Sequence, residues 1–421
     1  MTTAAVPLPA LRRRTTVVLL ASQVLGGIGI GIGIAFATVV GARVGGDALG
    51  GLAATATVVG TALVAVPLTP LMSARGRRPG LALAYLTGAS GAALTVVAAL
   101  VSNYPLLLLG LTAFGGSSTA SFQARFAAAD LTPPDRRARA ISLLVWATTI
   151  GAVLGPSLAA PASRSVTAWG IPAAAGPFAW ACAAFAAAAV IIATGLRPDP
   201  LLTARALAPD ASTTARSGSG SVWSGFRAVR ATPMGRIALT TVAVVHTAMA
   251  SVMSMTPLEM SHHGAGMDLI GLVVSAHVLG MYAFSPAMGW LADRVGRITA
   301  ICLSVAFLAV AALLASTAGT SHTQSMAALF VLGLGWSAGL VAGSALLTDS
   351  VPAADRTAAQ GLSDLVMSSA AALGTAVAGV VVAQAGYVWL NAAVILVLLC
   401  FAARTLRGRT ALATNADRTA A

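Results

Sequence analysis

The sequence predicts an all-α membrane protein in which twelve transmembrane helices form two pseudo-symmetric bundles of six. Three observations carry that prediction. Of the 421 residues, 57% are hydrophobic and 9% charged, and the mean hydropathy is +0.87, a composition foreign to a water-soluble globule of this length. Twelve apolar runs approach or exceed the about 20 residues that cross a bilayer; they lie at 15–40, 48–72, 80–101, 104–128, 138–160, 173–196, 233–260, 267–291, 297–318, 323–348, 357–384 and 386–406. Short loop motifs of the first half also recur in the second.

Arg12, Arg13 and Arg14 before the first run superficially resemble a secretory leader, but the run continues to Val40, well past the roughly 7–15 apolar residues of a signal core. In this span Gly27, Gly29, Gly31 and Gly33 alternate, which suits either a helix that bends or admits a solute, or close packing through small residues. Asp47 reads as a cap for the second span. In the fifth, Gly151 and Gly155-Pro156 form a small-xxx-small seam. The Pro/Ser/Gly/Arg-rich stretch 197–232 reads as a central cytoplasmic loop. It separates bundles at 15–196 and 233–407, with tails at 1–14 and 408–421.

All 25 cationic residues are arginines. With the N-terminus inside, they gather on inner segments, and only Arg43 and Arg164 fall outside. This asymmetry predicts a multi-pass protein of the plasma (inner) membrane with both termini cytoplasmic, its net charge of +13 facing anionic lipid rather than nucleic acid. Cys182, Cys302 and Cys400 are single and far apart, with neither disulfide nor thiolate-site spacing.

Gly76-Arg77 recurs as Gly296-Arg297, and the Asp130 to Arg136 loop recurs loosely as Asp349 to Arg356. Parallel repeats of this kind favour a solute site near the midplane and access alternating between the two sides. The stretch Gly289-Trp290-Leu291-Ala292-Asp293-Arg294-Val295-Gly296-Arg297 resembles the inner-loop signature of the major facilitator superfamily. The resemblance implies that fold over essentially the whole chain, and a loop that latches the halves. Asp293 is suited to accept from helix-end amides and to pair with Arg297, while Gly289 and Gly296 allow close approach and a turn. A merely solvated loop is the alternative. The first copy departs from the signature: Ser73 and Ala74 stand where Asp and Arg are expected. The Gly151–Pro156 element is similar to one common in exporting members, although packing alone accounts for it.

Residues 246–288 hold four of the five histidines and seven of the twelve methionines. Met249 and Met253 are four apart in the seventh span, His277 and Met281 four apart in the eighth, so each pair shares a helical face about 6 Å apart along the axis. Thioethers and neutral imidazole suit Cu(I) without negative charge. The pattern resembles CcoA-like copper importers of the superfamily, whose relatives include riboflavin importers. That resemblance implies copper contacts at Met249, Met253, His277 and Met281, with Met255, Met260, His262 and His263 as an outer receiving zone. The alternative is that the methionines are pliable seam fillers and the histidines are bonded to neighbouring hydroxyls or carbonyls.

Charges within spans predict an inner gate in which Asp364 or Asp130 neutralises Arg125, against an interfacial snorkel of Arg125. With no carboxylate at either midplane, His246 is the candidate for proton coupling, a packing role being the alternative. The expected function is secondary transport by alternating access, importing copper. The alternatives are a proton-coupled exporter of small amphipathic organic compounds and an importer of a riboflavin-like cofactor. Neither an enzyme nor a cofactor is expected, since no phosphate loop, paired nucleophile or zinc motif is present. The expected partners are the lipid bilayer and a solute or metal-ion substrate, with the protein a monomer.

Overall fold

The computed structural model describes residues 7–46, 49–207, 221–265 and 267–420, and within its helices a few side chains, including those of Pro156, Ser157, Asp268 and residues 406–420, are not described. Asp47 lies outside the described residues. The α-helices are α1 (Leu8–Gly45), α2 (Gly50–Arg75), α3 (Arg77–Leu100), α4 (Tyr104–Asp130), α5 (Arg137–Ser165), α6 (Gly176–Gly195), α7 (Pro200–Leu207), α8 (Val222–Ala231), α9 (Pro233–His262), α10 (Met267–Tyr282), α11 (Ser285–Val295), α12 (Arg297–Ser316), α13 (His322–Ser350), α14 (Arg356–Ala385) and α15 (Tyr387–Ala420). Among the described residues, eleven stretches are long and apolar enough to cross a membrane. The fifth expected span lies in α5, a helix of 29 residues.

Three features differ from the sequence reading. The eighth span is two helices, α10 and α11, because Pro286 lacks the N–H that would continue the ladder. The Ser285 hydroxyl takes over the Tyr282 carbonyl at 2.9 Å. The central segment carries α7 and α8. The first of these starts at Pro200, and the Asp199 carboxylate accepts from the Leu201 and Leu202 amides at 3.0 and 3.2 Å, a capped start with proline in the first turn. Finally, α15 continues through 408–420, where a tail was expected.

The chain forms two compact units: Met1–Phe226 with Pro352–Leu365 (unit 1), and Arg227–Val351 with Val366–Ala421 (unit 2). Lipid removes most of the hydrophobic drive between helices, so backbone approach and interhelical hydrogen bonds hold such units together. In unit 1, Gly27 and Gly31 of α1 lie on Gly151 and Gly155 of α5. A Cβ added at Gly31 would sit 2.8 Å from the Gly151 carbonyl oxygen. Gly29 and Gly33, on the other face, receive the rings of Phe185 and Phe114, which pack at 5.4 Å between centroids. All four glycines therefore serve packing. Between α2 and α4, Thr61 and Thr119 donate to the carbonyls of Gly115 and Thr61, at 3.0 Å each.

Unit 2 is built around α13, whose Gly333 lies against the His277 carbonyl and the Met281 amide of α10. On another side, Ser304 of α12 donates to the Gly335 carbonyl at 2.6 Å.

Candidate functional site

The soft residues of α9, its C-terminal end and α10 range from buried to exposed. Met249, Met260, His277 and Met281 are buried, Met253 and Met255 half-buried. Met260 belongs to a small apolar cluster with Val273 and Leu329. His262 is exposed, while His263 meets Glu259 at 3.3 Å one turn back along the chain. The imidazole of His277 is turned toward α13, its Nδ1 2.8 Å from the Leu329 carbonyl. A carbonyl only accepts, so Nδ1 carries the ring proton and Nε2 holds the lone pair. That Nε2 is buried without a hydrogen-bond partner. Among the described residues, no three His, Cys, Asp or Glu side chains gather as a metal site. A metal bound here would rest on His277 and thioethers.

His246 has the opposite tautomer. The Trp336 indole N–H donates to its Nδ1 at 2.7 Å, so Nδ1 is the acceptor and any ring proton belongs on Nε2. Tyr282 packs edge-on against Trp336 at 5.6 Å and 83°, and the His246 ring lies 5.9 Å from the same indole. His246 stands at the middle of Pro233–Met260, Tyr282 of Leu269–Val295 and Trp336 of His322–Ser350. Three helices of unit 2 therefore bring aromatic and imidazole groups together at the middles of their apolar spans. The sequence reading missed Trp336 and Tyr282, because nothing local marks an aromatic whose partners lie on other helices.

Unit 1 holds a polar cluster instead. Arg77 is completely buried. It donates to Asp130 at 2.8 Å and to Gln123 at 2.8 Å, and also bonds Gln360. Gln123 donates to Asp364 at 2.7 Å, and Arg125 pairs with Asp364 at 2.6 Å with its guanidinium over the Phe126 ring. Of the two carboxylates considered for Arg125, Asp364 is its partner and Asp130 belongs to Arg77. Two arginines and two aspartates balance, which is the condition for burying charge in lipid-embedded protein.

The two loop signatures also differ. In unit 2, Gly296 turns the chain between α11 and α12 at φ +90°, a conformation suited to glycine. Asp293 pairs with Arg297, Asp349 approaches Arg297 at 3.3 Å, Arg294 lies over Trp290 at 5.2 Å, and Gly289 is buried. In unit 1, Gly76 makes the same turn at φ +93°. There Asp199 accepts from the Arg78 amide at 2.7 Å and Arg205 donates to the Ser73 carbonyl at 2.7 Å. Asp199 therefore supplies a carboxylate that Ser73 lacks, a role the sequence reading did not assign it. Its placement before Pro200 was the available signal.

The Major Facilitator Superfamily sequence profile matches residues 18–268 and 238–419. The chain is 34% identical over 384 residues to the uncharacterised MFS-type transporter YddS of Bacillus subtilis (strain 168), covering 90% of this chain and 87% of that protein. It is 27% identical over 386 residues to the riboflavin transporter RfnT of Brucella anthropi, covering 90% and 92%. Its fold is similar to that of the E. coli fucose:proton symporter FucP, with a TM-score of 0.68 and 18% identity over 94% of this chain and 98% of that one. These likenesses lend no support to the copper-importing branch in particular. With eleven apolar spans among the described residues, its repeated loop signature and matches along nearly its full length, the chain belongs to the Major Facilitator Superfamily of transporters.

Proposed function

We propose that this protein is a secondary transporter of a flat aromatic solute of flavin type, working by alternating access. The observation that carries the reading is the mid-span group of Trp336, Tyr282 and His246. A planar ring system is held by aromatic faces and edges, each such pair contributing about 0.5–1.5 kcal/mol beyond the area buried. Few polar groups are then needed for orientation, and the His246 and Tyr282 heteroatoms are of the right kind. The likeness to the riboflavin transporter RfnT supports the same solute class. The Trp336 hydrogen bond holds His246 as an acceptor at Nδ1, which favours a packing or ligand-orienting role over proton coupling.

Copper import is a second reading, and one observation favours it. His277 presents a buried, unpartnered Nε2 lone pair on the helix that also carries Met281, and a neutral imidazole held by a carbonyl at its other nitrogen is a competent soft-metal ligand. One assay separates the readings: uptake of radiolabelled riboflavin and of radioactive copper by cells expressing wild type, Trp336→Ala or His277→Ala. Flavin uptake above empty cells that falls about tenfold or more in Trp336→Ala, with copper unchanged, is the expected result. Copper uptake lost only in His277→Ala would install the second reading. No uptake of either by the wild type would end both.

A further inference from the structure

The short helix α8 has two unlike faces. Ser224, Gly225 and Val229 point inward, Ser224 and Val229 buried, and Gly225 so close to the Ala358 backbone that a Cβ would collide with it. The outward stripe is Trp223, Phe226, Arg227 and Arg230, at the i, i+3, i+4, i+7 spacing of one helical face. Trp223 is 73% and Phe226 40% exposed, both arginines are exposed, and the two rings meet edge to face at 5.9 Å. Residue 233, the start of a membrane span, follows the helix after one intervening residue, and Arg236 beyond it is exposed as well.

We infer that α8 is an interfacial helix that binds anionic phospholipid, with Trp223 and Phe226 set into the headgroup and upper acyl region and Arg227 and Arg230 on the phosphates. In water such a stripe would leave two large aromatic side chains uncovered. At a bilayer surface the rings sit where amphipathic aromatics are favoured, and guanidinium groups three and four residues away meet negative charge. The attachment to a span keeps the helix at that depth, so it needs none of the length that a free amphipathic peptide requires. The occupant is a lipid surface rather than a protein because the stripe joins exposed aromatics to cations alone, beside the point where the chain enters the membrane.

The test uses the full-length protein in phosphatidylcholine vesicles, with and without phosphatidylglycerol, part of the phosphatidylcholine carrying bromine high on its acyl chains. The Trp223 signal is the fluorescence of wild type minus that of Trp223→Phe. Bromolipid is expected to quench this signal, and phosphatidylglycerol to deepen the quenching. Arg227→Gln/Arg230→Gln is expected to lose about half of that increment or more. Trp223 unquenched by bromolipid would overturn the inference, whether aqueous iodide reaches it, as in open solvent, or not, as under a protein partner. An increment undiminished in the double arginine variant would overturn it too.

Discussion

At the α11–α12 turn, Asp293 lies four residues before Arg297, across the Gly296 turn, and pairs with it, and Asp349 adds a contact at 3.3 Å to a guanidinium that is 12% exposed. At the α2–α3 turn, Ser73 leaves Arg77 without that neighbour, and Arg77 goes fully inside, to Asp130, Gln123 and Gln360. The pairings Arg77–Asp130 and Arg297–Asp349 join equivalent positions of the repeat, so the same partnership recurs in both units in different surroundings. One copy keeps a local, partly wet ion pair. The other has a dry cluster in which α4 supplies Gln123 and Arg125, whereas the equivalent stretch of α13 has small residues from Ala342 to Ala345. The lost carboxylate is replaced from a distance, Asp199 bonding the amide of Arg78. A short motif therefore fixes the backbone turn in both units, but burial decides what its arginine is worth.

The comparison breaks first at Asp130. Asp130→Ala leaves Arg77 buried beside uncharged amides and is expected to cost about 3–5 kcal/mol, seen as a large fall in melting temperature in detergent. A fall no greater than that of an exposed-site control would mean that water reaches Arg77, and the contrast in burial would lose its meaning. Asp199→Ala comes next. It removes the acceptor for the Arg78 amide and for the start of α7, and should cost about 1–2 kcal/mol, read by the same melting experiment with hydrogen exchange faster at Arg78 and Leu201. Unchanged exchange at both amides would deny Asp199 its substituting role. The smallest effect belongs to Asp349→Ala, about 0–1 kcal/mol, because the pair is part-exposed and Arg297 keeps Asp293. A loss matching that of Asp130→Ala would show that the two copies are energetically alike after all.

Much of this architecture is legible in the chain because lipid demands long apolar helices and tolerates few charges. The spans, the repeated Gly-Arg turns and the glycine seam all follow from local composition. The break at Ala283–Phe284 was also written there, in Ser285-Pro286, and so was the α7 cap, in Asp199-Pro200. The candidate site was less accessible. His246 and His277 could be found by residue type, yet the nitrogen each presents depends on Trp336 and Leu329, dozens of residues away on α13. Likewise Arg125 had two acidic candidates within plausible reach, and choosing Asp364 required knowing that Arg77 already occupies Asp130.

The contact of Gly27 and Gly31 with Gly151 and Gly155 leaves no side chains between two backbones. Ordinary helix pairs slide by letting interleaved side chains change rotamer, a lubricant that this pair lacks. In a transport cycle α1 and α5 are therefore expected to travel as one body, with the hinges of unit 1 elsewhere along its helices.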